Sequence, residues 1–488
     1  MPLDWEALAR ALLLYQPDQP MLFPTGAFWF WAVVVLGVYG LFLHFGQLRG
    51  ALLWLLGFSV FFYYKSVGAF VGLFLGTLVL QYGLVRAMVR WPQAGRFFLG
   101  LAILVPLTFL GYFKYANFFL QNAAWLLGRP FEPLAIFLPA GISFYTFHMI
   151  SYAIDVRRGL VPPGSFWDYA LYITYFPHLV AGPIVRAGPF LPQLQAPRLH
   201  SLWIGSGFWL VLQGLVKKVV FADYLAQYND LVFAHPGGYS GFENLMAIYG
   251  YGLQIFCDFS GYSDVAIGLG RMMGFDLGVN FAKPYLATSI TEFWRRWHIS
   301  LSSWLRDYVY IPLGGNRKGP FRTYLNLLAT MLIGGLWHGA SWRFVVWGGV
   351  HGLALAVHRF WRGFPFSSRP ASVGGRFLGW LLTFHLVLGL WVFFRASDFA
   401  TAMIVLRQAL TQVDWAYTVP FCQARPLFVL LLLLGYLLHA VPMPWVTRIE
   451  EAFARSPWVV KFLTFIGVVQ LLLEMRQTYV QPFIYFQF

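Results

Sequence analysis

Residues Ala27-Phe28-Trp29-Phe30-Trp31-Ala32-Val33-Val34-Val35-Leu36-Gly37-Val38-Tyr39-Gly40-Leu41-Phe42-Leu43-His44-Phe45-Gly46 contain no Asp, Glu, Lys or Arg. A helix rises about 1.5 Å per residue, so this stretch crosses the roughly 30 Å of hydrocarbon in a bilayer. Working outward, apolar runs recur near 67–85, 97–113, 203–222, 342–361, 377–394, 426–441 and 458–474. Further runs lie near 50–64, 134–154, 167–185, 244–257 and 324–338. The pattern predicts an all-α integral membrane protein of about eleven to thirteen transmembrane helices. Composition agrees: 59% of the 488 residues are hydrophobic and only 11% charged, against about 25% charge in a soluble domain. So few charges cannot solvate a surface of this size, and lipid must cover much of it.

The net charge of +15 comes from 34 Lys and Arg against 19 Asp and Glu. The basic residues sit in short clusters between apolar runs, such as Arg86, Arg90 and Arg96. They read as positive-inside orientation signals, not as a nucleic-acid surface. Cys257 and Cys422 are far apart and form no CxxC pair, which excludes a disulfide scaffold and a cysteine zinc site. Asp4 and Glu6 precede the first apolar run, the wrong polarity for a cleaved signal peptide. Residues 1–21 are expected to be an amphipathic extension, with Leu3 to Leu8 in a short interfacial helix before Pro17 and Pro20. Residues 22–474 then form one polytopic domain, and 475–488 an aromatic tail.

Polar residues crowd into 139–352. Ionisable groups at membrane depth are costly, so chemistry is sought there. The apolar run Leu327 to Ile333 leads into Gly334-Gly335-Leu336-Trp337-His338-Gly339-Ala340. An imidazole between glycines suits a general base approached closely by a substrate. The same residues suit a structural histidine between helices, with Gly335 and Gly339 as a packing face. In Glu292 to Ile311, Trp294, Trp297, Leu301, Trp304, Leu305 and Tyr308 form one helical stripe. His298 lies at its edge with Arg295 nearby, facing either a cavity or the interface. Cys257-Asp258-Phe259-Ser260-Gly261-Tyr262-Ser263-Asp264 sets two carboxylates in an apolar context, for which Arg271, Arg295 and Arg306 are candidate partners.

Pro177, Gly182 and Pro183 break any helix across Tyr175 to Arg186, where His178 and Arg186 are candidate contacts for an anionic donor or parts of a packing kink. Gln481-Pro482-Phe483-Ile484-Tyr485-Phe486-Gln487-Phe488 reads as an interfacial aromatic cluster or as a tail presenting the Tyr485 phenol as acyl acceptor. HExxH, GxxxxGK[ST], CxxC and GxSxG are absent, which disfavours metal hydrolysis, nucleotide hydrolysis and serine-esterase chemistry. No metal site is expected.

On the segments Phe176 to Ile184, Asp258 to Asp264, Phe293 to His298 and Leu336 to Gly339, the chain resembles the membrane-bound O-acyltransferase family. Its similarity is greatest to the bacterial polysaccharide branch, which includes the alginate O-acetyltransferase membrane subunit and cellulose-acetylating relatives. It is more distant from the subunit that passes D-alanine to teichoic acids. The resemblance covers roughly 22–488. It implies helices around a central cavity, additional interfacial or re-entrant helices, and an exopolysaccharide-acetylating enzyme of the bacterial inner membrane. It places the catalytic histidine at His338 and the second polar position at His298. Asp258, Ser260, Tyr262, Asp264, Arg295, Arg306 and Trp337 would supply a donor-binding or polar network. It further implies acetyl-CoA or another acyl thioester as donor substrate, no bound cofactor, an extracytoplasmic acetyltransferase as partner, and an acyl-Tyr485 shuttle. Arg448 and Arg455 before the last span and Lys461 in its first turn, with only Arg476 after it, place that tail outside. Two rivals stand beside this reading: a transporter of a lipid-linked sugar or acyl donor, and a scaffold for a soluble acetyltransferase.

Overall fold

A computed structural model describes residues 5–364, 372–475 and Phe483. They are helical, with no strand among the described residues. Six helices are long and apolar enough to cross a membrane: Gly26–His44, Leu48–Val67, Phe70–Arg90, Pro92–Leu126, Ser201–Ala234 and Val373–Arg395. Two bent pairs, Trp415–Ala424 with Pro426–Ala440 and Met443–Arg455 with Trp458–Glu474, raise this to 8 if each is one span. The other expected runs are helical except over 134–141, at Tyr175 and over 180–185, but fall short in length or apolarity. Ile142–Arg157 is the clearest case: His148, Ser151 and Asp155 interrupt its apolar residues, and protein buries it on almost every side. Large apolar side chains such as Val33, Leu104, Leu382, Leu437 and Leu463 point outward, as a lipid-facing surface requires.

The chain divides into two compact units. Residues 1–211 and 265–278 make the first. Phe28, Phe58, Phe62 and Phe176 interlock in its core, with ring centroids 5.0–6.4 Å apart. The amphipathic N-terminal segment forms the helix Trp5–Leu13. The Lys65 ammonium ties it down by donating to the carbonyl of Ala11 at 2.7 Å and to that of Leu14. Trp31 Nε1 adds a bond to the Leu12 carbonyl at 3.1 Å. A cation on the last carbonyls of a helix satisfies orphan acceptors and opposes the helix dipole.

The second unit comprises residues 212–264 and 279–488. Its centre is a helical hairpin, Gly319–His338 and Trp342–Trp361. A Cβ added to Gly335 would collide with the Phe344 carbonyl and lie 3.2 Å from Gly348 Cα, so glycine permits this approach. The expected packing face is thus present, and it seats His338 at the hairpin's turn.

Candidate active site

His338 ends the helix Gly319–His338 and is 3% exposed. Its ring lies 5.0 Å from Trp337, 5.0 Å from Trp347 and 5.2 Å from Phe394. Trp337 also lies 6.0 Å from the ring of His298, so one indole bridges the two expected histidines.

The predicted continuous helix over 292–311 is corrected. It is two short helices, Ile290–Arg296 and Ile299–Leu305, followed by a wide π-type turn at Arg306–Tyr310. The break falls at His298, whose φ of 42° is left-handed and strained for a residue with a Cβ. Its cause is a competing backbone partner: Ala282 N–H donates to the Arg296 carbonyl and Ile299 N–H to that of Asn280, both at 2.9 Å. The stripe Trp294, Trp297, Leu301, Trp304, Leu305 and Tyr308 is nevertheless buried, as its spacing predicted.

His298 is fully buried, and its Nδ1 lies 3.2 Å from Asn280 Oδ1. Ser300 N–H donates to the same oxygen at 3.3 Å, while Asn280 Nδ2 donates to Ser263 Oγ at 3.0 Å. A backbone N–H can only donate, so the amide orientation is settled and His298 Nδ1 carries its proton. Nε2 is then an acceptor. Burial pushes this imidazole down to about 3, so it stays neutral.

Lysines, which the sequence did not single out, pair with the carboxylates. Lys218 Nζ lies 2.5 Å from Asp258 Oδ1 and 2.8 Å from Asp223 Oδ1, and Lys217 Nζ lies 2.6 Å from Asp264 Oδ2. Both consecutive lysines of the π-type stretch Val216–Asp223 thus reach carboxylates of the helix Gly241–Met272. Gly261 brings the two backbones together, because a Cβ there would meet the Gly214 carbonyl at 2.7 Å. Arg271, by contrast, donates to Ser206 and sits over the Trp203 ring. Arg295 and Arg306 are exposed, and Arg306 pairs with Asp307 at 2.7 Å. Ser260 and Tyr262 are buried on the same helix as Asp258. Phe483 stacks on Tyr262 at 4.7 Å and lies 5.5 Å from Phe259, whose ring meets that of His298 edge-on at 4.6 Å. Tyr485 lies outside the described residues.

His178 and Arg186 belong to the first unit. The backbone breaks there as expected, with the short helix Phe176–Leu179 followed by irregular chain. His178 is buried, donates from Nε2 to the Tyr172 carbonyl at 2.8 Å, and packs 4.7 Å from the ring of His148.

Sequence reasoning passed over Asn280, which lies in no periodic pattern, and His351, whose ring lies 4.7 Å from Trp347. It also passed over Lys217 and Lys218, although two ionisable residues inside the apolar run 203–222 were a legible signal. Among the described residues no group of three or more His, Cys, Asp or Glu is placed to hold a metal ion.

The membrane-bound O-acyltransferase family matches residues 94–397. The chain is 39% identical to the probable alginate O-acetylase AlgI of Pseudomonas putida, across 96% of this chain and 100% of the relative. It is 44% identical to the Azotobacter vinelandii protein of the same name, over 76% and 75% of the two chains. It is 37% identical to the peptidoglycan O-acetyltransferase of Helicobacter pylori, over 79% of each. With a family match across most of the chain and relatives aligned along most of their length, this protein belongs to the membrane-bound O-acyltransferase family and is an O-acyltransferase.

Proposed function

We propose that this enzyme moves an acetyl group from a thioester donor, acetyl-CoA, toward a cell-surface polysaccharide, working in a bacterial inner membrane. Alginate and peptidoglycan are named for its relatives, so the acceptor chemistry is a glycan hydroxyl. His338 is the general base. It takes the proton of an attacking hydroxyl as that oxygen adds to the thioester carbonyl; collapse breaks the C–S bond, leaves a C–O ester, and returns the proton to the thiolate. His298, held with an acceptor nitrogen forward, orients the hydroxyl. Tyr485 is the first acceptor, carrying the acetyl group as a phenyl ester to an extracytoplasmic transferase.

The observation carrying this reading is the continuous ring contact His298–Trp337–His338, in the unit that also buries Phe483 two residues before Tyr485. The test is transfer of labelled acetate by the reconstituted protein. His338→Ala should lower it by about 10²- to 10⁴-fold. Undiminished transfer would favour the transporter or scaffold instead. Tyr485→Phe should abolish protein-bound acetate.

A further inference from the structure

The ammonium of Lys283 is shielded from solvent and has no hydrogen-bond acceptor among the described residues. Its backbone is left-handed, with φ 52°, so the chain is strained to place it. Lys217 acts on it electrostatically, and Lys217, Lys283 and Arg296 all act on His439. Lys217 also sits 5.6 Å above the Phe256 ring, which packs at right angles to the His439 ring with centroids 4.6 Å apart. The cluster therefore gathers three cations around one imidazole.

Two of them have carboxylate partners. Lys217 pairs with Asp264 at 2.6 Å, and Arg296 pairs with Glu292 at 2.5 Å. Glu292 is further engaged by the Thr288 N–H at 2.7 Å and its hydroxyl at 2.8 Å. His439 Nε2 accepts from the Tyr285 N–H at 3.2 Å and so adds no donor there. One positive charge is left over, on Lys283. Burial, reinforced by Lys217, pulls that ammonium below its usual range. An ammonium shielded from water without a partner is destabilised, and an anion beside it offsets that cost.

We propose that Lys283, with Lys217 and Arg296 beside it, binds a phosphate group. Resting on the acyl-transfer reading above, that phosphate is carried by the thioester donor. Both carriers such chemistry uses, CoA and the phosphopantetheine arm of a carrier protein, bear one. The location supports it: Lys283 follows Ala282 and Asn280, whose backbones pair with Arg296 and Ile299 on either side of His298. The segment that anchors the phosphate is the segment that fixes the imidazole. A phospholipid headgroup offers the same chemistry, and binding separates the two sources.

The full-length protein, in nanodiscs of phosphatidylcholine, is titrated with labelled CoA and, separately, with pantetheine, which lacks phosphate. Lys283→Gln should weaken CoA by roughly tenfold to a hundredfold, the worth of a charge-assisted bond, and leave pantetheine unchanged. Lys283→Arg should retain most CoA affinity. In discs containing phosphatidylglycerol, native mass spectrometry counts retained anionic lipid; its loss in Lys283→Gln with CoA affinity intact would place the phosphate on lipid. Equal CoA affinity and equal lipid retention in wild type and variant would overturn the site. Lys283→Met, which removes an unpartnered cation, should fold with an unchanged or raised Tm and repeat the Gln result. No arm requires turnover, so failure of the acyl-transfer reading, seen in the His338→Ala assay, remains a separate outcome.

Discussion

His298 Nδ1 stands 3.2 Å from Asn280 Oδ1, and that contact fixes which nitrogen of a fully buried imidazole carries the proton. Asn280→Ala removes the anchor and frees the ring to take the other tautomer, so acetate transfer should fall by about tenfold or more. Asn280→Asp keeps an acceptor and should recover most of it, but with a new pH dependence. In wild type, burial holds His298 at about 3, so it does not titrate near neutrality. A carboxylate at 280 would favour the imidazolium and raise that value, so Asp-variant activity should drop as pH falls while the wild-type profile near neutrality does not report His298. Identical profiles in the two proteins would remove His298 from the reaction.

Lys218 places its ammonium between Asp223 and Asp258, all three nearly inaccessible to solvent. Lys218→Met removes the cation that two buried carboxylates share and should cost about 3–5 kcal/mol of stability. Thermal unfolding in detergent, followed by size-exclusion fluorescence, should show a large loss of Tm. Adding Asp258→Asn should restore part of it. An unshifted Tm in the single variant would mean that the triad contributes little.

Gly335 and Gly349 face different surroundings in the same hairpin. A Cβ at 335 collides with the backbone carbonyl of Phe344, which cannot rotate away, whereas one at 349 meets only Leu332 Cδ2 at an ordinary 3.5 Å. Gly335→Ala should therefore destabilise by about 1–3 kcal/mol and displace His338, lowering transfer. Gly349→Ala should be neutral or gain up to about 1 kcal/mol from helix propensity. Equal behaviour of the two in unfolding and transfer assays would contradict the close packing that seats His338.

The membrane class, the hairpin glycines and the stripe through Trp294 and Trp304 were legible because each follows from local composition or period. The break at His298 was not. Its residues have good helical spacing, and only the distant segment at Asn280 and Ala282, pairing with their backbone, overrides it. The counter-ions of Asp258 and Asp264 were missed for a related reason: Lys217 and Lys218 are adjacent, and an ordinary helix would point them about 100° apart. Both nevertheless reach carboxylates of one neighbouring helix, and no periodicity announces that pairing. More spans are expected from the sequence than there are described helices long and apolar enough to cross, and the difference lies where polar residues interrupt apolar runs, as in Ile142–Arg157, a helix buried by protein.

Phe483 is 3% exposed and stacks on Tyr262, although it lies near the end of a tail that sequence alone leaves between an interfacial and a functional role. Burying a phenylalanine contributes about 1.5–3 kcal/mol, enough to hold a short segment in place but not to hold the whole fold. Phe483→Ala should therefore lower acetate transfer by about tenfold to a hundredfold while Tm stays unchanged, and Phe483→Leu should recover part of the loss. Combining Phe483→Ala with Tyr485→Phe should cost no more than Tyr485→Phe alone, since both act on the same step if the tail is the first acceptor. Fully additive losses would place Phe483 outside that step and leave its stacking on Tyr262 a purely structural contact.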